Sequence, residues 1–349
     1  MLSCLKRDNT EKNYELILEN KPQKRSLTRN KIIKKYVKDI YGLSNIGNSC
    51  YINSILQILL HCPLLLQELK KNYKSDCVIS DIISLSNNPK YDYYYLGLIK
   101  SHMKKINPLY DTLNQGDSQV FGKDLINEII NCIKNGKENV NEKFNQKERN
   151  FKNGKYAEYR NYLDMYQSNE IELEKMFVIN EYRASYKSKN KLEYSFGSSL
   201  DIGIVFPING KKQFSLEELL EQKFCNKNFE NNYKKKIRKI CKLPNILIIT
   251  ISRAILGEKL NNYSLKFPNK LDISNYIDDD FIQNCCKYKL FAINEKVGNS
   301  RNFGHYYCYI KINNRWCFVN DEKIIENIEV NFISKNVVGL FYTKDIVIE

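Results

Sequence analysis

Cys50 and His305 are the two residues of this sequence best placed to do thiol chemistry together. A cysteine nucleophile needs a base that promotes its thiolate and later protonates the leaving amine. The supply of bases is small, because the chain has three histidines: His61, His102 and His305. His61 follows the segment that Cys50 opens. If that segment is a straight helix rising about 1.5 Å per residue, His61 lies roughly 16 Å away. Proton transfer needs a reach of about 3 Å, so His61 reads as a half-buried side chain near a helix end. His102 sits in Ser101-His102-Met103-Lys104-Lys105 with no constellation around it, and reads as surface. His305 follows Gly304 and opens a run of strand-forming residues, which would hold it rigidly beside an open loop. Further on, the strand-like Trp316–Val319 ends in Asn320-Asp321. A neighbouring antiparallel strand would bring either residue against the imidazole, fixing its tautomer and angle. The tetrahedral intermediate also needs hydrogen-bond donors, each worth about 3–4 kcal/mol when well placed. The backbone N–H of Cys50 is one candidate, and the side-chain amide of Asn45 or Asn48 is the second.

These groups must be positioned by the elements around them. Gly42, Asn45, Gly47, Asn48 and Ser49 form a loop that feeds directly into Tyr51–Leu60. There Ile52, Ile55, Leu56 and Leu59 repeat at spacings of three and four, which predicts a helix ending before Pro63. Cys50 would stand at the loop-to-helix junction, beside the free N–H groups of the first turn. Residues 90–140 read as mostly helical, with Leu125, Ile126, Ile129, Ile130 and Ile133 as a buried stripe. Residues 141–175 read as a charged surface insertion with a helix around Ile171–Met176. Strand-like segments follow at Tyr194–Phe196, Ile202–Phe206 and Ile246–Ile251. Between them Ser215 and Glu218 have capping-box spacing ahead of Leu216, Leu219 and Leu220. Tyr288–Ile293, Tyr306–Ile310, Trp316–Val319 and Gly339–Thr343 read as further strands. The fold class is therefore α+β: a helical N-terminal half around Cys50 and a mostly antiparallel sheet toward the C-terminal end.

Composition narrows the chemistry further. At 349 residues and 42% hydrophobic content, the chain can bury a core without disulfides. Its eleven cysteines are odd in number and irregularly spaced, and the first residues, MLSCLKRDNTEKN, hold no long apolar run. A reducing intracellular compartment, cytoplasm or nucleus, is expected, where a thiol persists as a nucleophile. The formal charge of +15 is spread along the chain, with a denser block at Lys21–Lys38 inside a basic N-terminal extension, residues 1–40. No nucleic-acid-binding motif accompanies it, so no specific nucleic acid is expected. No membrane partner is expected either, since Ile55–Leu60 is too short to span a bilayer. No Cys-x-x-Cys pair or phosphate loop is present, so no metal and no cofactor are expected.

With these residues in view, Gly42-Leu43-Ser44-Asn45-Ile46-Gly47-Asn48-Ser49-Cys50-Tyr51-Ile52-Asn53-Ser54-Ile55-Leu56-Gln57 resembles the cysteine box of the ubiquitin-specific proteases. A second box is similar too: Tyr288–Ile293, Gly304-His305-Tyr306, Trp316, Val319-Asn320-Asp321 and Gly339-Leu340-Phe341-Tyr342. The resemblance implies a papain-like cysteine protease over residues 41–349. A helical thumb would span about 41–140, an insertion and fingers about 141–240, and an antiparallel palm about 241–349. It implies hydrolysis after the C-terminal glycine of ubiquitin, with ubiquitin or a ubiquitin-like protein and its conjugates as partners. Cys50 would be the nucleophile, His305 the base and Asn45 the oxyanion donor. Asn320 stands where the family usually has Asp to orient the histidine, and Asp321 is the acid that follows it. Gln115-Gly116-Asp117-Ser118-Gln119-Val120-Phe121 resembles the thumb motif, making Gln115, Asp117 and Tyr306 the expected substrate-binding residues. The motif's usual Glu is Val120 here, which would leave Asp117 alone to grip a basic tail. Between Phe177 and Lys239 there is one cysteine, Cys225, so the fingers are expected to be zinc-free. Two further readings stay open: the same chemistry on another ubiquitin-like modifier, and a ubiquitin-binding pseudoenzyme.

Overall fold

The computed structural model describes residues 40–111, 115–134, 155–166, 170–188, 191–207, 211–224, 236–254, 259–281, 285–298, 300 and 303–345. The basic N-terminal extension, Cys225 and most of the charged stretch after residue 140 lie outside the described residues. Among the described residues the helices are α1 Cys50–Leu60, α2 Leu65–Lys71, α3 Val78–Asn87, α4 Asp92–Lys104, α5 Ser118–Lys134, α6 Lys155–Tyr166, α7 Glu172–Phe177 and α8 Leu216–Phe224. The strands are β1 Ile179–Ser188, β2 Lys191–Ser199, β3 Ile202–Val205, β4 Gln213–Ser215, β5 Lys236–Lys242, β6 Ile246–Ser252, β7 Ser264–Lys266, β8 Lys270–Asp272, β9 Lys287–Val297, β10 His305–Ile312, β11 Arg315–Asn320, β12 Lys323–Ile328, β13 Ile333–Ser334 and β14 Val337–Lys344.

One large sheet organises the molecule, in the order β12-β11-β10-β9-β14-β6-β3, with β8 added beside β9. Its pairs are antiparallel except β3 on β6. Both faces are covered, which explains the apolar run Ile246–Ile249 of β6, while the buried Thr250 hydroxyl beyond it donates to Asp201. Ile246 and Ile248 enter the core shared with α1 to α5, while Leu247, Ile249 and Ile251 enter the core beneath α8. A strand alternates its side chains between faces, so two covered faces favour apolar residues on both sides of it. Helix α1 is buried along its whole length and packs against β10, β11 and α5. The expected stripe of α5 is buried at Leu125, Ile126, Ile129 and Ile130, with Ile133 packed at its edge. Ser215 and Glu218 exchange both capping-box bonds at the start of α8, at 3.2 and 2.8 Å. No single described helix is long and apolar enough to cross a membrane.

A second sheet, β2-β1-β5, lies in the segment expected to hold the fingers. Helix α6, which the charged sequence around it did not suggest, covers this sheet with aromatic side chains. Tyr159 and Tyr162 pack with Tyr182, Phe196 and Phe281 in a separate small core. Lys155 bridges Asp278 at 2.6 Å and Asp280 at 2.7 Å, and the Tyr182 hydroxyl donates to Asp278. Edge-to-face aromatic pairs contribute about 0.5–1.5 kcal/mol each beyond their buried area. Packing therefore holds the described part of this sheet together.

Candidate active site

Cys50 is the first residue of α1, and α1 lies against β10, the strand that His305 begins. Strands β10 and β11 pair with Cys308 opposite Val319, which sets the start of one beside the end of the other. His305 and Asn320 meet there, with Nε2 of the imidazole 2.6 Å from Oδ1 of Asn320. An amide oxygen only accepts, so Nε2 carries the proton. The hydrogen bond between His305 and the Cys50 thiol then falls to the other ring nitrogen, Nδ1. Gly304 makes the approach to β10 possible: its φ is +156°, and a Cβ there would stand 2.5 Å from the Val297 carbonyl oxygen.

The electrostatics favour a thiolate beside an imidazolium. Burial opposes charge on Cys50, but the hydrogen bond and charge of His305 outweigh it and lower the thiol's pKa. The Tyr306 backbone N–H and the Gln115 amide add to this. Burial likewise opposes charge on His305, yet Cys50, Asn320 and the charge of Asp321 raise its pKa to about 9. Buried Cys62 and Cys308 show the contrast: with no comparable cation beside them, burial drives both upward.

Asp321 adopts left-handed backbone with φ +48° in the β11–β12 turn. Its carboxylate accepts from Asn45 Nδ2 at 2.9 Å and from Asn53 Nδ2 at 2.8 Å. Its carbonyl oxygen accepts from the Leu43 N–H at 3.0 Å. Asp321 thus ties the loop before Cys50, and α1 itself, to the sheet that carries His305. Asn45 is fixed on its other side as well, because Oδ1 accepts from the N–H groups of Gly47 and Ser49, each at 3.2 Å. One hydrogen of Asn45 Nδ2 serves Asp321, leaving the second for an acceptor in the cleft. Asn48 is exposed in left-handed backbone.

Of the expected substrate-binding residues, Tyr306 is buried beneath the cleft with its ring under the Lys296 ammonium, 5.1 Å away. Asp117 is exposed and caps α5, its Oδ1 accepting from the Gln119 N–H at 2.8 Å. Gln115 lies closer to the chemistry than its expected role required, with Nε2 3.2 Å from Cys50 Sγ. His102 departs from expectation: it is half-buried, and its Nε2 stands 3.1 Å from Asp81 across α3 and α4. His61 caps α1, with Nδ1 2.8 Å from the Gln57 carbonyl oxygen. Asn53 and Gln119 hold the site together without having been expected to from the sequence. Asn53 lies three residues after Cys50, hence on the same side of α1, which was a usable signal. Gln119 donates to the carbonyl oxygens of Val338 and Ile251, docking α5 onto the sheet.

A thiol at a helix start, aligned with an imidazole and an amide on an adjoining antiparallel sheet, defines a papain-like thiol hydrolase. The sequence matches the ubiquitin carboxyl-terminal hydrolase family over residues 41–342, and the chain belongs to that family, whose members are cysteine-type deubiquitinases. It is 27% identical to ubiquitin carboxyl-terminal hydrolase 4 of Arabidopsis thaliana over 322 residues, covering 81% of this chain and 84% of that protein. Ubiquitin carboxyl-terminal hydrolase 46 of Caenorhabditis elegans is 26% identical over 352 residues, covering 83% of this chain and 80% of the relative. Among solved structures, a chain of the SAGA DUB module Ubp8/Sgf11/Sus1/Sgf73 bound to monoubiquitin superposes with a TM-score of 0.66. That match is 19% identical and covers 97% of this chain and 74% of the other. The same module bound to ubiquitin aldehyde matches with a TM-score of 0.65 at 20% identity, over 97% of this chain and 74% of that one.

Proposed function

We propose that Cys50 attacks the carbonyl of the C-terminal glycine of ubiquitin where it is joined to a lysine or to an α-amine. The observation that carries this reading is the alignment of Cys50, His305 and Asn320 across α1, β10 and β11. The thiolate forms the new C–S bond while the carbonyl π electrons move onto oxygen. The Cys50 N–H and the spare hydrogen of Asn45 Nδ2 stabilise that oxyanion. As the oxyanion collapses, the C–N bond breaks and the His305 imidazolium protonates the leaving amine. Water then attacks the thioester with neutral His305 taking one of its protons. The C–S bond breaks, the thiolate leaves beside the imidazolium, and the freed carboxylic acid loses its remaining proton to solvent. Asn320 holds the ring in its working tautomer and angle. Asp321 holds Asn45 and α1 in place and adds negative charge near His305.

These roles set the pH dependence. Cys50 must be ionised and His305 protonated, so kcat/KM rises through the lowered midpoint of the pair and falls through an upper midpoint near 9. Asn320→Ala removes an acceptor that raises His305, so the upper midpoint moves down and kcat drops by about 10- to 100-fold. Asp321→Ala frees Asn45, lowering kcat with a smaller movement of that midpoint. PH–rate profiles of both variants on ubiquitin–aminomethylcoumarin check the assignment. A larger alkaline shift from the Asp321 change would make Asp321 the orienting residue.

A second reading, cleavage of another ubiquitin-like modifier, is favoured by the exposed Val120 and by Asp117 being engaged as a helix cap. Tail-swapped fluorogenic substrates separate the two. Faster cleavage of a non-ubiquitin body and tail would transfer the activity to that modifier.

A further inference from the structure

Gln115 closes the cleft over the proposed nucleophile. The 115–117 loop lies flat against α1: a Cβ on Gly116 would stand 2.6 Å from the Tyr51 ring. From this anchorage the Gln115 side chain reaches across to the turn before β10, where Nε2 donates to the Gly304 carbonyl oxygen at 2.5 Å and faces Cys50 Sγ at 3.2 Å. A carbonyl can only accept, so this contact fixes the orientation of the amide. Nε2 points to the Gly304 carbonyl and the thiol, and Oε1 is turned the other way. That Oε1 is buried and accepts no hydrogen bond among the described residues. A buried acceptor without a donor is a costly arrangement in a resting protein.

Cys50 itself is 3% exposed, although a peptide tail must reach its sulfur. Something has to move before attack. His305 and the Tyr306 N–H are the thiolate's own partners, and displacing them would dismantle the ion pair. Gly304 is confined by its backbone, with the Val297 carbonyl close against it. Gln115 has three rotatable side-chain bonds, and its contact with Gly304 opens without disturbing His305 or Asn320.

We propose that Gln115 is a latch that becomes a positioning residue, an inference that rests on the reading of Cys50 as nucleophile. In the free protein its amide bridges thumb and palm and shuts the thiol in. When an extended peptide tail enters, the amide leaves Gly304 and pairs with a backbone amide of the tail. Nε2 then donates to a tail carbonyl, and Oε1, left without a donor in the resting state, accepts a tail N–H. The Gly304 carbonyl, released, becomes a second acceptor for the tail. The fit is to main chain, so the latch answers to an extended, small-residue peptide rather than to a particular side chain.

Two rates measured on Gln115→Ala should move in opposite directions. Alkylation of Cys50 by iodoacetamide, followed by mass spectrometry across pH, separates access from ionisation. The high-pH plateau reports access and rises about tenfold as one hydrogen-bonded closure is lost, while the midpoint moves up because a donor to the thiolate is gone. Hydrolysis of ubiquitin–aminomethylcoumarin falls by about 10- to 100-fold in kcat/KM, because the tail loses its paired contact. Gln115→Glu keeps the length and an acceptor oxygen but puts a second acceptor where the donor was, so it should open the latch equally. Its melting temperature checks that the fold is intact. An unchanged or lower alkylation plateau in both variants overturns the latch, and unchanged hydrolysis overturns the tail contact. Failure of the underlying reading has a different signature: hydrolysis would then survive Cys50→Ala, whatever Gln115 does.

Discussion

Replacing Cys50 by alanine lowers hydrolysis of ubiquitin–aminomethylcoumarin by at least about 10⁴-fold, because the thiol paired with His305 is the group that forms the thioester. Ubiquitin binding survives the change. The change deletes none of the residues expected to hold ubiquitin, and removing one buried sulfur costs about 1 kcal/mol of packing. Loss of the thiolate also removes the charge that Tyr51 and His305 experience. Binding measured by calorimetry should therefore stay within about threefold of the parent, by the usual size of effects that create no unpaired buried charge. A variant that loses binding together with turnover would place Cys50 in the fold rather than in the chemistry.

The second large effect falls on His305. His305→Ala lowers kcat by about 10³-fold or more, since both the proton donor for the leaving amine and the base for the thioester's water are gone. It also changes the thiol itself. His305 supplies the main contributions that offset burial at Cys50, so without it burial prevails and the thiol's pKa rises. The sign is therefore definite: the thiolate fraction at neutral pH falls, and the alkylation profile of Cys50 moves to higher pH. A purely structural histidine would lower the melting temperature and leave the thiol's titration where it was.

How much of this was readable beforehand depended on the range of each interaction. Cys50 at a loop-to-helix junction is a local pattern, carried by the glycine- and asparagine-rich loop and by the repeat from Ile52 to Leu59. His305 and Asn320 are joined by one hairpin, so strand periodicity brought them to the same end of the sheet. The tie from Asn45 to Asp321 spans the chain instead. Nothing near either residue in sequence signals it, and the separate contacts of Asn320 and Asp321 depend on the left-handed turn that aims the Asp321 carboxylate at Asn45 and α1. The contact of His102 with Asp81 failed to show for a similar reason. Both residues sit in ordinary helical surroundings, and the packing of α3 on α4 makes them neighbours. Helix α6 was hidden by its charged flanks, since the tyrosines that bury it are spread among polar residues. Gln115 was legible as a cleft residue from its motif. Its position over the thiol came from the fit of Gly116 on Tyr51.

Cys50 as the nucleophile is tested most directly by a ubiquitin carrying an electrophile at its C-terminus. The intact protein should gain the mass of one ubiquitin, with peptide mapping placing the adduct on Cys50 among the eleven cysteines. The Cys50→Ala protein should gain none. No adduct on folded protein, or an adduct on any other cysteine, would contradict the assignment of Cys50 as the nucleophile.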